Sequence, residues 1–381
     1  MKNKILILAW GVYPGTGGST IILNNIAKGF KADELVIAGQ IPRTKPEVPW
    51  DSFSDIKLYY LDPFPFGYKR PERYIRWLKT SKLIRQVEEI VKSEGVTSIL
   101  SIFPDEYYAY IAYKVSKRLD LPFYIWYHNS YVENRTGILK VLAKYLQPKF
   151  FKLAKKVFVM SDGLNKELSL HNPNVNFETL VHGFELELPQ AQDSTSRNGR
   201  TKFLYSGSLN DSCLDASIRM IKVILEDKSH EIHVFSGNPK IFIQNGLDGD
   251  RVFFHDFLPL QDFVASLHEY DIMMLPHGID GKRSQLEYKT IFPTRTIPLL
   301  FSGKPILAHS PEDSFLTEFL KENDCAVIVC DKDKEKLRTA IEQIKNGDEG
   351  IDELVKNAQN TSKLFELQSV IDRMKSLMHL N

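Results

Sequence analysis

The sequence predicts an α/β fold made of two parallel-sheet domains, and three observations predict it. Short, continuously apolar runs alternate with helical patterns, the mark of strands covered by helices on both faces. The alternation breaks once, in the polar stretch "ELELPQAQDSTSRNGRT" at 185–201, which is poor in large apolar residues. It then restarts in the same style. At 381 residues the chain is also long for a single core.

In the first half, "KILILAW" reads as a strand and "STIILNNIAKGF" as a helix after a Gly-rich turn. "DELVIAG" and "TSILSIF" (97–103) are strands, and "YYAYIAYKVSKRL" is a helix. "PFYIWYH" (122–128) and "KKVFVMS" (155–161) are strands, and "DGLNKEL" opens a helix with Asp162 as its expected cap. The second half offers the strands "KFLYSGS", "EIHVFSG", "RVFFHDF", "DIMMLPH", "PILAH" and "CAVIVC". Between them lie the helices "DASIRMIKVILED", "LQDFVASLHEY", "TIPLLFSG" and "SFLTEFLKEND". The tail is helical, with "EKLRTAIEQIKNG" ended by Gly347. The expected organisation is a Rossmann-like domain over 1–185, a linker over 186–200 and a second Rossmann-like domain over 201–360. A final helix, 361–381, is free to return to the first domain.

Composition narrows the function. Charged residues are 25% and hydrophobic residues 43%, an ordinary globular balance. A net charge of +1 gives no global attraction for nucleic acid. Cys213, Cys325 and Cys330 make neither a disulfide framework nor a metal site, so a cytoplasmic protein is expected. The apolar run Ile5 to Trp10 is too short for a signal peptide. No run approaches the ~18 apolar residues of a spanning helix.

In parallel sheets ligands bind beyond the carboxyl ends of strands, so the residues just after each strand carry the argument. A cleft between the two domains is the expected place. "GVYPGTGGSTIILNNIA" follows the first strand. Gly17 and Gly18 allow close backbone approach, and Ser19 can bind an anion or cap the helix. The glycine spacing fits neither G-x-G-x-x-G nor a Walker loop, and a tight βα turn is the plain alternative. His128 ends a strand and is suited to hydrogen-bonding a sugar hydroxyl. In "YSGSLND", Gly207, Ser208 and Asn210 offer N–H and hydroxyl groups to a phosphate. The plain alternative is a turn in which Asn210 or Asp211 caps the next helix. Ser236 and Gly237, and then Asp256, Phe257 and Leu258, follow strands and suit approach to a nucleobase. "LPHGIDGKRSQLEYKTIFPTRT", with His277 near its start, reads as one long polar loop, a frequent carrier of function. Thr294, Arg295 and Thr296 stand at a helix start, where hydroxyls, N–H groups and a guanidinium suit an anion.

Two basic stretches, 68–79 and 138–156, mix cations with aromatic or aliphatic residues. In the first, Arg70, Arg73, Arg76 and Lys79 wind around the helix, among Tyr68, Tyr74 and Trp77. In the second, Lys140 and Lys144 are expected opposite Ile138, Leu142 and Tyr145. Each reads either as a solvated helix face or as an anchor on an anionic membrane surface.

The same stretches resemble the GT-B glycosyltransferases, most closely the glycosyltransferase family 4-like group, over nearly the whole chain. The resemblance rests on "GTGGST", His128, "VFVMSDGLNKEL" with "VHGFE", "FLYSGSL", "YDIMMLP" and above all "FPTRTIPLLFSGKPILAH". It implies a hexosyltransferase that takes a nucleotide-diphosphate sugar and retains anomeric configuration, with neither cofactor nor metal. The first domain would bind a glycan or lipid-linked acceptor in surface polysaccharide or glycoconjugate synthesis, with the enzyme peripheral at the inner face of the membrane. Gly17 and Gly18 would face the donor diphosphate across the cleft, His128 would be the catalytic residue near the transferred sugar, and Thr294, Arg295 and Thr296 would hold the diphosphate. The chain departs from the group's pattern at Ser208 and Asn210, where an Arg and a Lys are usual. Pro298 and Ile291 replace the two Glu, and Asn129 replaces an Asp. Those departures leave two other readings: a non-catalytic GT-B partner subunit, and a nucleotide-sugar epimerase working through Asp105, Glu106 or Asp280.

Overall fold

The structure is a computed structural model that describes residues 3–15, 18–40, 50–52, 54–61, 72–103, 105–185, 199–256, 258–280 and 285–380. Two compact units result. Unit 1 takes Met1–Glu185 with Leu367–Asn381, and unit 2 takes Leu186–Glu366. Gly17, Phe257 and residues 68–71 and 186–198 of the expected site, basic stretch and linker lie outside the described residues.

Unit 1 runs β1 (Ile5–Ala9), α1 (Gly18–Lys28), β2 (Leu35–Gln40), β3 (Lys57–Leu61), α2 (Glu72–Ile75), α3 (Thr80–Glu94), β4 (Ser98–Phe103), α4 (Glu106–Leu119), β5 (Phe123–Tyr127), α5 (Gly137–Leu153), β6 (Lys156–Val159), α6 (Asp162–His171) and β7 (Phe177–Thr179). All its strand pairs are parallel, in the order β3-β2-β1-β4-β5-β6-β7. The central strands are apolar without alternation because both faces are covered. Leu6 and Leu8 of β1 face one core with α3 and α4, while Ile5 and Ile7 face the other with α1.

Unit 2 runs β8 (Thr201–Ser206), α7 (Leu214–Ile224), β9 (His230–Phe235), α8 (Pro239–Gln244), β10 (Val252–His255), α9 (Leu260–Ser266), β11 (Ile272–Pro276), α10 (Gln285–Thr290), α11 (Thr296–Phe301), β12 (Ile306–His309), α12 (Phe315–Glu322), β13 (Val327–Val329), α13 (Lys334–Asn346) and α14 (Ile351–Ser362). Its parallel sheet has the order β10-β9-β8-β11-β12-β13. The last helix, α15 (Leu367–Leu377), packs on unit 1. Val370, Ile371 and Met374 enter the core beside α1. Gly29 admits them, since a Cβ there would lie 2.5 Å from Ile371 Cγ1. Lys375 Nζ meets Glu34 at 2.8 Å, fixing the same helix from its polar side.

Several local expectations change. The cap of α6 is Ser161, whose side chain accepts from Leu164 N, and Asp162 is the first helical residue. The stretch taken as one long loop contains α10, with Glu287 and Tyr288 buried. The helix after β8 starts at Leu214, one residue before the expected Asp215, and neither Asn210 nor Asp211 caps it. Asn210 Oδ1 instead accepts from Ser212 N at 2.9 Å and closes a turn. Arg76 belongs to no basic surface. It is 3% exposed, and its Nη1 lies 2.7 Å from Asp105 Oδ2. Trp77 packs on the rings of Tyr107 and Tyr110. On α5, Ile138 and Tyr145 do not lie opposite the lysines. They are 70% and 61% exposed, beside Val141 at 67%, while Ala143, Leu146 and Phe150 face the core.

Candidate functional site

Each sheet gathers the predicted residues at its carboxyl edge, for a topological reason. Strands that are all parallel end on one side, and the turns after them converge there. In unit 1 the order reverses between β1 and β4, and in unit 2 between β8 and β11.

In unit 1, β1 delivers Gly11 and Gly15 to a turn that packs on Thr20. A Cβ on either glycine would stand 2.9 Å from Thr20 Oγ1. Gly18 opens α1, and Ser19 follows it. Ser19 Oγ lies 3.4 Å from His128 Nδ1, just beyond β5. The other ring nitrogen, His128 Nε2, is buried and has no hydrogen-bond partner among the described residues. Burial pushes the His128 pKa down to about 3, so the ring is neutral at physiological pH.

His182, which sequence reasoning passed over as a candidate, stands against it. The two ring centroids are 4.7 Å apart at 72°, and Trp126 meets both rings edge-on. His182 is 2% exposed. Both of its ring nitrogens are buried without a partner among the described residues. Burial, reinforced by the neighbouring His128, holds its pKa well below the usual histidine value. Trp126 Nε1 donates to Leu180 O at 3.1 Å and so ties the segment that carries His182 to β5. The result is a neutral histidine pair with three buried nitrogens able to accept or donate. Such groups are costly to leave unsatisfied, so they point to a polar ligand.

The carboxylates considered for epimerase chemistry are already engaged. Asp105 caps α4 through Tyr107 N and Tyr108 N and pairs with Arg76. Glu106 pairs with Arg135 at 2.8 Å. Asp280, in unit 2, is ion-paired with Lys332.

In unit 2, Arg295 is the organising group. It precedes α11 and reaches back to the end of β8. Nη1 donates to Tyr205 Oη at 3.0 Å and Nη2 to Ser208 O at 2.9 Å. Gly207 passes beside the guanidinium at φ 94°, a backbone conformation that favours glycine. The Arg295 pKa is raised, so the charge persists. Burial pushes the Cys213 thiol up, but the Arg295 charge and local hydrogen bonds outweigh it and leave the thiol below its ordinary value.

The other candidates divide. Ser208, Asn210, Gly237 and Asp256 are exposed, and Thr294 and Leu258 are half-buried. Ser236 is buried, with Oγ accepting from Asn238 N at 3.4 Å. His277 turns inward, with Nε2 2.8 Å from Tyr288 O. Thr296 is fully buried, and its Oγ1 has no partner among the described residues. A further anchor escaped the sequence reading. Asp215 Oδ2 accepts from Ile279 N and Asp280 N and pairs with Arg219, holding the segment after β11 against α7.

No helix among the described residues is long and apolar enough to cross a membrane. No protein-family model matches the sequence, and no curated protein matches it significantly. Solved structures do match over full length. The sucrose-phosphate synthase of Thermosynechococcus elongatus aligns with a TM-score of 0.75 at 14% identity, covering 100% of this chain and 98% of that one. Anabaena HepE, solved with UDP and glucose, aligns at 0.71 with 14% identity over 99% of each chain. A glycosyltransferase from Rickettsia africae aligns at 0.70 with 15% identity, also over 99% of each. From end to end, the chain has the GT-B glycosyltransferase fold.

Proposed function

We propose that the protein is a glycosyltransferase that moves a sugar from a nucleoside-diphosphate sugar to an acceptor hydroxyl. The observation that carries this reading is the neutral His128–His182 pair, with buried, unpartnered nitrogens at the carboxyl edge of the unit 1 sheet. HepE, of the same fold, was solved with UDP, which makes a uridine donor the first to try. Arg295 in unit 2 is the proposed partner of the donor diphosphate, and His128 in unit 1 that of a sugar hydroxyl. The acceptor oxygen bonds to the anomeric carbon as the bond to the diphosphate oxygen breaks. Charge develops on that leaving oxygen, where a fixed guanidinium is worth most. Arg295 has five N–H donors, and those not directed at Tyr205, Ser208 and Cys213 remain for phosphate. A neutral His128 orients a sugar hydroxyl by hydrogen bonding and carries no charge of its own. Retention and independence from metal follow from the family resemblance alone.

Thermal denaturation against a panel of UDP, GDP, ADP and their sugars tests the donor reading. A ligand that binds only the folded state raises Tm with concentration. Stabilisation by one nucleoside diphosphate and its sugar is expected, and none by any would overturn the reading.

A lipid-linked acceptor is favoured by a separate observation. Ile138, Val141 and Tyr145 form an exposed apolar row on α5 beside exposed Lys140 and Lys144, and Leu78 is 85% exposed. Apolar groups flanked by lysines suit the interface of an anionic bilayer. Sedimentation with anionic and neutral vesicles tests this. Equal binding to both removes the electrostatic part.

A further inference from the structure

We propose that Asp227, His230 and Glu342 form a binding site for a divalent transition-metal ion of the zinc class. It lies at the amino-terminal edge of the unit 2 sheet, where β9 begins, at the end opposite the Arg295 turn. The three donor atoms all lie within 4.8 Å of one another.

His230 shows why a cation belongs there. Its Nδ1 is 2.9 Å from Ile224 O. A carbonyl only accepts, so Nδ1 carries the proton. In the neutral ring Nε2 is then a bare lone pair. It is buried and has no hydrogen-bond partner among the described residues, and the side chain is 3% exposed. It points at Asp227 Oδ2, 3.3 Å away. Lone pair and carboxylate repel unless a positive centre lies between them.

The Asp227–His230 spacing of 3.3 Å suits a metal. Two atoms bound at roughly 2.0–2.1 Å to a tetrahedral ion lie about 3.3–3.4 Å apart. An imidazole with two carboxylates suits zinc, cobalt or nickel. The Nδ1–H to carbonyl bond is also the usual outer support of a metal-bound histidine.

The turn is built before any ion arrives. Ser229 N and Oγ both donate to Asp227 Oδ1 at 2.8 Å, leaving Oδ2 as the outward oxygen. Arg251 binds the carbonyls of Leu225, Asp227 and His230. Glu342 comes from α13, so the ion would tie that helix to the turn before β9. Lys345 competes, with Nζ 3.4 Å from Asp227 Oδ2 and 3.1 Å from Glu342 Oε1. A divalent ion gains by replacing this single charge with two and by engaging the imidazole.

The experiment uses the full chain, stripped with a chelator. Zinc is titrated by calorimetry, and cobalt by its visible absorption, which is intense in tetrahedral sites. One ion with a tetrahedral cobalt spectrum is expected. Asp227→Asn and Glu342→Gln should each weaken binding about tenfold or more. Lys345→Met, which removes the competing charge, should strengthen it. Glu342 is exposed, so its variant folds whatever the fate of the others. Absence of zinc binding up to about millimolar, near the weak end of measurable affinity, would overturn the proposal. So would binding that neither Glu342→Gln nor Asp227→Asn changes, because the ion would then sit elsewhere.

Discussion

Replacing Arg76 by Met separates a structural cation from the basic surface that its sequence context suggests. Arg76 and Asp105 have side-chain exposures of 4% and 1%, and their contact is 2.7 Å. Glu106 lies 3.7 Å from Nη2 and keeps Arg135 as a second partner. Among the described residues, Asp105 keeps only the amides of Tyr107 and Tyr108, and these reach Oδ1. Methionine therefore leaves Asp105 Oδ2 buried and charged without a cation. Breaking a buried pair from one side costs about 3–5 kcal/mol. In a unit of this size each kcal/mol lowers Tm by about 2–4 °C, so the expected fall is about 6–20 °C. Calorimetry or circular-dichroism melting at neutral pH reads it. Adding Asp105→Asn removes the stranded charge and keeps a carbonyl to cap α4, so the double variant should recover much of the loss. A single-variant shift under about 2 °C, within what a surface substitution gives, would refute this reasoning. A double variant no more stable than the single would do the same.

Other predictions follow from named contacts. Arg295→Lys keeps a charge but loses the fork that binds Tyr205 and Ser208. It should lower kcat/KM for sugar transfer by about tenfold or more while the fold persists, and steady-state kinetics on the folded variant check it. The His128 pKa falls from 6.5 to about 3 on folding, so the unfolded chain binds more protons between those values. Stability held above pH ~6.5 is therefore lost as pH falls toward ~3. Urea titrations of His128→Gln should show a shallower acid decline than the parent. Burial pushes Glu94 up, but bonds from Lys4, Lys57 and Tyr59 outweigh it and hold the carboxyl at about 2. The stability this lends is present above pH ~4.5 and lost as pH falls toward ~2. The same titrations on Glu94→Gln should lack that part of the loss. Gly29→Ala drives a methyl into Ile371 at 2.5 Å. It should destabilise the docking of α15 by about 1–3 kcal/mol, measured by hydrogen exchange of that helix.

Much of the fold was legible because buried parallel strands are apolar without interruption. β1, β4 and β5 are buried at every position, so the runs announced themselves. β3 and β7 were missed because little of either strand is buried. β3 mixes exposed and half-buried positions, and β7 has only three residues, all half-buried. α10 was read as loop because six residues cannot display a helical period. Strand-end position singled out His128 as a candidate, and the structure sets its ring beside Ser19 and His182. His182 was missed because its partner is distant in sequence, and no local spacing announces that two rings will meet. Arg76 was read as surface for the same reason, its carboxylate lying 29 residues away.

Sugar transfer itself is tested by following nucleoside diphosphate released from nucleotide sugars in the presence of an acceptor panel. The parent chain is compared with His128→Ala and His182→Ala, each first shown to be folded. Acceptor-dependent release from at least one donor, a new glycoside by mass spectrometry, and a loss of about 100-fold or more for His128→Ala are expected. Release that is undiminished in His128→Ala, or no transfer from any donor that binds, would contradict the proposed function.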